Sequence, residues 1–563
     1  MTRDGTPAKS SKRVPRKPAP ATPAEPRAPL ERFAPPLWAV LAALVALVAV
    51  VGRHTLPGFF ALDDLILFQQ AAGIRPWPLT VWRWLSGWAW FKAVVPLWDH
   101  APFAYHAASL ALHAVNVALL YRLARRWGAS DVAAFVGAGL FAASRLHFPA
   151  LFAATSIGEL LSLAFTLAAL LIEGNGRRAW LALAVFVLAL SSKESVLLVP
   201  CAALLIAPEA QPAAERLRAR APLVAGGLVL GALLLASGLS SGRLGGQAYT
   251  VSLGANLAEN VARLFGWTID LQDPIPDLHA TTTGTAHWLL PLVAVALTAL
   301  PFRPRSSPLS RAGVAWWWLA VLPVLPLPGR TYLHYLYVPL AGVALAIAAL
   351  IDALLEARAA RPRAKPTAGR RRWVVAALAL LVYAAWSDVL LSLRMDLRMT
   401  STDWPLDPVL RKSEIARAGI DDTRAILAGH HANVSILIPA SISHSVNLGS
   451  GVVEADAAKR RYELEEVLDA GRSLKALVPE VDSVAFVHDY EPGHTGWLLL
   501  LSRSDSHLVS LGVLPAAHAR FVQAMLASRF PAAALDYADK ALAGEPADAT
   551  LRALRGQAAA AAR

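Results

Sequence analysis

The sequence contains one cysteine in 563 residues and few charged residues. Because Cys201 lies inside an apolar run, a disulfide framework and a cysteine-based metal site within one chain are both excluded. Only 17% of the residues are charged, whereas 56% are hydrophobic, and the mean hydropathy is +0.45. A soluble domain of this length does not need so much apolar surface, but a chain that crosses a membrane several times does.

The chain carries 53 lysines and arginines against 40 acidic residues, a net charge of +13. In a soluble protein this excess would suggest nucleic acid, but here the position of the charges decides their meaning. Residues 1–32 are rich in proline, alanine and arginine and show no apolar periodicity, which predicts a disordered basic tail. The apolar run from Leu37 to Val51 then predicts an uncleaved anchor with a cytoplasmic N-terminus. We expect a membrane partner and no nucleic acid.

Apolar segments continue through a predicted transmembrane domain at 33–395. With the first, eleven candidates lie at about 37–51, 103–121, 132–148, 151–172, 179–192, 195–207, 221–238, 287–301, 313–328, 335–355 and 373–393. Several are shorter than the roughly 20 residues that span a bilayer, and 179–192 and 195–207 are either tilted spans or a re-entrant pair. Basic residues concentrate in alternate connections, as the positive-inside rule requires. The predicted location is therefore a bacterial inner membrane, with the C-terminus outside.

Asp63 and Asp64 follow directly on the first apolar run, in a predicted outer loop at 52–102. Acids at a membrane boundary are costly to desolvate, so an unpaired pair there usually faces a cavity, a cation or a substrate. Two solvated acids in an ordinary loop are an equally good interpretation. The loop is also rich in tryptophan, and Val81 to Lys92 predicts a helix along the interface, where aromatic anchoring alone explains each tryptophan.

Polar residues recur inside the next spans. His106, Ser109, His113 and Asn116 fall on one helical face, which indicates either buried hydrogen bonding between helices or a site. Around the outer end of the following hairpin come Arg145, His147 and Glu159.

Two outer turns carry further charge. A lysine at the turn Ser191–Glu194 either solvates the turn or supplies a point charge for a lipid phosphate. Arg330, which precedes Tyr335, is either an anion clamp or a snorkelling residue. The loop 239–286 reads as an outer lid or a second interfacial helix, with an amphipathic segment at Asn256 to Trp267.

Five short motifs occur in a fixed order along residues 37–355. They are Asp63-Asp64, Tyr105-His106 with His113-Ala114-Val115-Asn116, Leu140-Phe141-Ala142-Ala143 leading to His147, Ser192-Lys193-Glu194, and Tyr335-Leu336-Tyr337-Val338-Pro339-Leu340-Ala341-Gly342. This order resembles the GT-C superfamily of polytopic glycosyltransferases. The nearest branch is that of the transmembrane, tetratricopeptide-repeat-containing O-mannosyltransferases and their bacterial relatives.

The resemblance implies transfer of a sugar from a polyprenyl-phosphate donor to a hydroxyl of a protein or glycan acceptor. Asp63 or Asp64 would be the general base, and Lys193, Arg330 and Arg145 would bind the donor phosphate. The supporting polar residues would be His106, His113, Asn116, His147, Glu159, Glu194 and Tyr335. No metal ligands, resident cofactor or nucleotide-binding glycine loop are implied, although a divalent metal stays open. The chain departs from the family pattern near His147, where Ser144 and Arg145 replace a His-Pro pair and Pro149 replaces a glutamate.

The remainder of the chain is less apolar. Residues 396–515 contain β-rich stretches at Val434 to Pro439, Ser483 to His488 and Trp497 to Ser502, with Glu454 to Leu477 helical, which predicts an extracytoplasmic α/β module. Residues 516–563 show one unit of tetratricopeptide-like spacing, or alternatively a terminal pair of packing helices.

The fold class is therefore an all-α, GT-C-like polytopic membrane protein of about 11 transmembrane helices, followed by this α/β module and a short helical end. A non-catalytic membrane scaffold whose outer domain binds a partner is the main alternative function, and a polyprenyl-linked glycan ligase or transporter is the third.

Overall fold

The computed structural model of the protein describes residues 34–77, 83–206, 213–240, 251–269, 285–303, 306–328, 330–359, 368–399, 404–438, 463–501 and 507–563. The predicted tail at 1–32, residues 241–250 and 270–284 of the predicted loop 239–286, and residues 454–462 of the predicted helix lie outside these residues.

Helices dominate residues 34–399. They are α1 Leu37–Gly52, α2 Leu62–Ala71, α3 Trp90–Trp98, α4 Pro102–Arg126, α5 Asp131–Ala142, α6 Phe148–Phe152, α7 Ile157–Ile172, α8 Arg177–Ser192, α9 Ala213–Ala221, α10 Gly227–Ser240, α11 Ala255–Thr268, α12 Thr285–Ala299, α13 Pro308–Val321, α14 Tyr337–Ala359 and α15 Ala368–Asp396. Short 3₁₀ segments lie between them, at Arg53–Thr55, Arg145–His147, Ala154–Ser156, Glu194–Val196, Val199–Leu205, Leu300–Phe302 and Leu333–Leu336. Two π-helical turns lie at Trp84–Ala89 and Pro222–Gly226.

Six helical stretches of the described residues are long and apolar enough to cross a membrane. They are Leu37–Thr55, Pro102–Arg126, Ala154–Ile172, Leu217–Ser237, Leu333–Arg358 and Gly369–Asp396, and the pair α5 and Arg145–Phe152, bent by 44°, makes a seventh if it counts as one span. The mostly helical fold with several membrane-length helices agrees with the prediction, but the count of eleven spans is not confirmed. Helices α8 and α13 have only 16 and 14 residues, short of the ~20 that cross a bilayer.

The packing of α13 against α14 depends on two glycines that let the backbones approach closely. A Cβ added to Gly313 would lie 2.6 Å from the backbone nitrogen of Ala346, and one added to Gly342 would lie 2.5 Å from the carbonyl oxygen of Gly313. Small residues at helix crossings are the usual way in which membrane helices pack closely. This crossing fixes α14, whose first turn carries Tyr337.

Gly342→Ala is therefore expected to lower the free energy of unfolding by about 1–3 kcal/mol, because the added methyl group overpacks a backbone contact. Thermal melting of the purified protein measures the loss. The matched control is Gly556→Ala, since nothing lies within 4 Å of a Cβ at that helical glycine. The control should be neutral or up to ~1 kcal/mol stabilising. Equal melting temperatures for the two variants would contradict the close crossing.

The C-terminal region forms the predicted small α/β module. Its helices are α16 Pro408–Leu427, α17 Glu463–Val467, α18 Arg472–Leu477, α19 Ala517–Ala527, α20 Pro531–Gly544 and α21 Ala549–Ala561, and its strands are β1 Ala432–Leu437, β2 Val481–Val487, β3 Trp497–Leu501 and β4 Leu508–Val513. The sheet order is β2-β1-β3-β4, with β1 parallel to both neighbours and β3 antiparallel to β4. The last three helices pack together against the sheet, and their tetratricopeptide-like character stays a prediction.

The module and the first long loop lie together at one end of the helix bundle. Phe60 and Phe68 from this loop share a hydrophobic core with Ile420 and Ile436 of the module. The Gln69 amide also donates to the Ser473 hydroxyl at 2.8 Å. Two segments at the same end of the bundle must be separated by an even number of spans, which holds for the described helices when the bent pair counts as one span. The side of the membrane stays a prediction.

Candidate functional site

The two adjacent acids at the start of α2 have different surroundings. Asp63 is exposed in the first turn. Asp64 is fully buried, and its two carboxylate oxygens accept hydrogen bonds from the backbone N–H groups of Ala61 at 3.0 Å and Thr155 at 2.7 Å. Asp64 therefore caps its own helix and ties it to the segment that precedes α7. Only Asp63 presents its carboxylate to an outside reactant.

Burial raises the pKa of Asp64 to about 6, although the hydrogen bonds from Ala61 and Thr155 act in the opposite direction. The folded protein therefore prefers the protonated acid, and this stabilisation is lost as the pH rises through about 6. The full effect is about 3 kcal/mol, and about half of it falls above pH 5, so relative to Asp64→Asn the wild-type protein should lose about 1.5 kcal/mol of stability between about pH 5 and about pH 7.5. Melting temperatures of both proteins at about pH 5 and about pH 7.5 test this. A difference that does not change with pH would contradict the burial of the charge.

Glu159 and Lys193 form a buried ion pair between α7 and the end of α8. The lysine Nζ lies 3.3 Å from one carboxylate oxygen of Glu159, and the hydroxyl of Ser195 donates to the other at 2.9 Å. Glu159 is fully buried, whereas 13% of the Lys193 side chain is exposed. Lys193 also lies 5.9 Å from the ring centroid of Tyr335. The structure thus brings three of the predicted residues together and leaves the lysine at the solvent-facing edge.

Arg83 is the fourth charged residue of the cluster formed with Glu159, Lys193 and Glu194. Nothing in the sequence around Arg83 marks it as a site residue. Its guanidinium binds both carboxylate oxygens of Glu194, with Nε 2.7 Å from Oε2. In the same segment, the Ser86 hydroxyl donates to the carbonyl oxygen of Ser192 at 2.6 Å. The Trp-rich loop is therefore fastened to the turn that carries Lys193 and Glu194. No local pattern marks a partner 111 positions away.

A second polar group lies deeper among α4, α7 and α14. The Tyr337 hydroxyl lies 2.8 Å from Nδ1 of His113, and the Asn116 amide donates to the same hydroxyl at 3.0 Å. The ring of His147 lies 5.0 Å from that of His113 and 4.8 Å from that of Tyr337. His113 and Asn116 therefore lie on one face of α4, as their spacing predicts, and His147 joins them from the segment before α6. Tyr337 supplies the hydroxyl at the centre, a role that the sequence did not reveal.

Several buried nitrogen atoms in this region lack a hydrogen-bond partner among the described residues. They are both ring nitrogens of His106 and both ring nitrogens of His147. His106 packs on Phe152, with the ring centroids 5.4 Å apart. Because unpaired buried polar atoms are uncommon in proteins, such atoms usually mark the position of water or a ligand.

The predicted residues Arg145 and Arg330 both lie on segments associated with the stretch Leu333–Leu336. The 3₁₀ segment Arg145–His147 packs against the segment Leu333–Leu336, which places Arg145 near Tyr335 in the fold. Arg330 lies three residues before this second segment. Tyr332, His334 and Tyr335 of the same stretch form an aromatic group, with His334 and Tyr335 ring centroids 4.5 Å apart.

Arg145 also lines a cleft of about 250 Å³ between α5, α14 and α15. Its walls are mostly apolar with a few polar side chains, and the lining residues are Leu140, Phe141, Ser144, Arg145, Leu146, Thr268, Ile269, Leu340, Val343, Ala344, Ile347, Tyr383 and Ser387. The hydroxyl of Ser387 is buried without a hydrogen-bond partner among the described residues. A cleft of this composition suits a molecule with a hydrocarbon chain and a polar or anionic head.

Taken together, the geometry offers one exposed carboxylate, a largely buried ammonium group with a compensating carboxylate, and an apolar cleft with an arginine. Such a set can accept a proton, bind an anion and hold a chain. Within the described residues there is no group of three or more His, Cys, Asp or Glu side chains that could hold a metal ion.

The sequence matches no protein-family profile and no curated protein. Among solved structures, the chain is similar to the crystal structure of the Archaeoglobus fulgidus oligosaccharyltransferase tethered to an acceptor peptide containing the NVT sequon via a disulfide bond. The TM-score is 0.35 and the identity 14%, over 63% of this chain and 55% of that chain. The chain thus spans just over half the length of that structure, and a likeness at this level carries no argument about activity.

The fold and the site define the class of protein directly. It is a mostly helical protein with six helices able to span a membrane among its described residues, and an α/β module covers one end of the bundle. The charged and polar residues described above lie between the helices and below the loop that this module contacts.

Proposed function

We propose that this protein is a membrane glycosyltransferase that moves a sugar from a polyprenyl-phosphate donor to a hydroxyl of a protein or glycan acceptor. The single observation that carries the proposal is the separation of roles within the acid pair, with Asp63 exposed and Asp64 buried as a cap. A rigidly held helix start that presents one free carboxylate is suited to a general base.

In the proposed reaction, Asp63 takes the proton of the acceptor hydroxyl. At the same time, the oxygen of that hydroxyl forms a bond to the anomeric carbon of the sugar. The bond between that carbon and the donor phosphate oxygen breaks, and the polyprenyl phosphate leaves with the bonding electrons. Catalysis therefore requires cationic groups at the phosphate, where negative charge grows. Lys193, Arg330 and Arg145 are the proposed groups.

The charge balance of the cluster bears on these roles. Glu159 already compensates Lys193, and Glu194 already compensates Arg83. Lys193 would thus bind the phosphate as a shared donor, with Glu159 holding it in place, and Arg145 and Arg330 are the further cationic groups proposed at the phosphate. We assign Arg83 a positioning role, because it fixes Glu194 beside the lysine.

The apolar cleft beside Arg145 supports a lipid-linked donor. Its walls between α5 and α14 supply the apolar surface that a prenyl chain needs, and Arg145 is among the residues that line it. The sequence shows no glycine-rich loop of the kind with which many nucleotide-binding folds hold phosphates.

The competing proposal is a non-catalytic scaffold whose outer module binds a partner protein. The observation that favours it is the extensive ion pairing of the site, since Lys193 and Arg83 both have protein carboxylates as partners. Glycan profiling of a deletion strain separates the two. Loss of one glycan that returns with wild-type protein but not with Asp63→Asn supports the enzyme, whereas restoration by Asp63→Asn supports the scaffold.

The role of Lys193 needs a variant that does not leave a buried charge behind. Removing the lysine alone would strand Glu159 in the bundle, at a cost of about 3–5 kcal/mol. The double variant Lys193→Met/Glu159→Gln removes both charges and should keep the melting temperature near that of the wild type. In a reconstituted transfer assay, it should raise the KM for the lipid donor about tenfold or more while the acceptor KM is unchanged. Equal damage to both constants would count against a phosphate role.

The identity of the sugar and the need for a metal are read from the same assay. Synthetic polyprenyl-phosphate sugars offered singly define the donor, and a chelator added to the reconstituted protein decides whether a divalent cation takes part.

A further inference from the structure

The end of the bundle opposite the proposed site contains two clefts that meet at Pro35. One, of about 270 Å³, runs between α1 and α15 and is lined by apolar side chains such as Val40 and Phe135. The other, of about 560 Å³, is lined by Arg122, Arg125 and Tyr121, among others. Both lie at the ends of membrane-length helices, since α1 starts and α4 ends there. They are therefore at the level where hydrocarbon gives way to lipid headgroups.

The charges around the two clefts favour an anionic occupant. Arg125 is compensated, because its Nε lies 2.5 Å from a carboxylate oxygen of Asp131. Arg122 and Arg370, in contrast, are exposed, and neither makes an ion pair or hydrogen bond among the described residues. Basic pockets between membrane helices are known to bind the headgroups of anionic lipids.

A separate observation points to a ligand in the apolar cleft. Trp373 lines it and is only 7% exposed, yet its indole N–H has no hydrogen-bond partner within the described part of the chain. A buried indole N–H normally finds a partner. An ester carbonyl or phosphate oxygen of a phospholipid would supply the missing acceptor at this depth.

We propose that these two clefts together form a specific site for an anionic phospholipid. One acyl chain lies in the groove between α1 and α15, the indole N–H of Trp373 donates to the glycerol-ester region, and the headgroup phosphate lies near Arg122 and Arg370. The site is at the far end of the bundle from Asp63, so it is independent of the proposed transfer reaction. Its function is to hold the first and last membrane helices together.

Native mass spectrometry of the full-length protein, titrated with phosphatidylglycerol or phosphatidylcholine, tests this. The wild type should bind one phosphatidylglycerol at least about tenfold more tightly than phosphatidylcholine, and Arg122→Gln/Arg370→Gln should abolish the preference, at about fivefold per arginine. The matched control is Arg177→Gln/Arg178→Gln, which removes two exposed arginines from the same end of the bundle without touching either cleft.

Equal binding of the two lipids by the wild type would overturn the proposal, as would a control variant that loses the preference to the same extent. Trp373→Phe keeps the ring and removes only the N–H, so it should weaken phosphatidylglycerol binding by about fivefold while the protein stays folded. If the arginine variant does not fold, Trp373→Phe still tests the proposal. Unchanged phosphatidylglycerol binding by Trp373→Phe would contradict the proposed contact.

Discussion

Asp63→Asn is expected to lower the rate of sugar transfer by about 10²–10⁴-fold, because an amide cannot accept the proton of the acceptor hydroxyl. The side chain is exposed in the first turn of α2, so the variant should fold and should retain lipid. A reconstituted assay with purified protein and lipid donor measures the rate. The loss should appear in kcat, since the base acts in the transition state rather than in binding.

A variant of Asp64 separates a catalytic role of the acid pair from a structural one. Its carboxylate holds the backbone N–H groups of Ala61 and Thr155, so Asp64→Asn should alter stability and its pH dependence. If Asp63→Asn retained full activity while Asp64→Asn lost it in a well-folded state, the assignment of the base would be wrong. If neither changed the rate, the scaffold interpretation would be favoured.

The second large effect is expected at the junction between α15, the last membrane-length helix, and the C-terminal α/β module. Asp407 is fully buried and accepts hydrogen bonds from the backbone N–H groups of Val409 and Leu410, at 2.8 and 3.0 Å, which caps α16. Its other oxygen pairs with Arg394, whose guanidinium also lies 4.8 Å from the ring centroid of Phe148. One carboxylate thus caps the module and neutralises a buried charge at the end of α15.

Asp407→Ala should lower the free energy of unfolding by about 3–5 kcal/mol, because it leaves the buried guanidinium of Arg394 unpaired. Loss of the helix cap adds about 1 kcal/mol. Thermal melting of the full-length protein is the measurement.

Two controls sharpen this prediction. Arg394→Met/Asp407→Asn removes both charges and keeps a capping oxygen, so it should recover most of the loss. Glu414→Gln breaks the exposed pair with Arg398 at 2.6 Å and should cost less than ~1 kcal/mol. A loss of similar size in both single variants would contradict the buried character of the Arg394–Asp407 pair.

Periodicity was sufficient to predict the elements whose signals are local. The alternating stretches of the module became β1, β2 and β3, and the amphipathic segment at 256–267 became α11. The apolar runs gave helices, but their lengths decided which can span a membrane. Helix α16 was missed although Asp407 followed by Pro408 is a typical helix start, with a capping acid and proline at the first helical position.

The site was only partly predictable because its partners are distant in sequence. Spacing on one helix placed His113 and Asn116 on a common face, and α14 supplied the hydroxyl that joins them. Nothing near Arg83 indicates Glu194 as its partner. The different roles of Asp63 and Asp64 follow from the direction in which each side chain leaves the helix, which depends on where α2 begins.

The proposed transfer reaction requires the Asp63 carboxylate to face the non-cytoplasmic side. Labelling of a single cysteine tests this orientation most directly. Cys201→Ser leaves a chain without cysteine, and Asp63→Cys then introduces one thiol at the site. A membrane-impermeant maleimide should label this cysteine in intact cells, whereas Arg177→Cys in the same background should react only after permeabilisation. Labelling of position 177 but not 63 in intact cells would contradict the account.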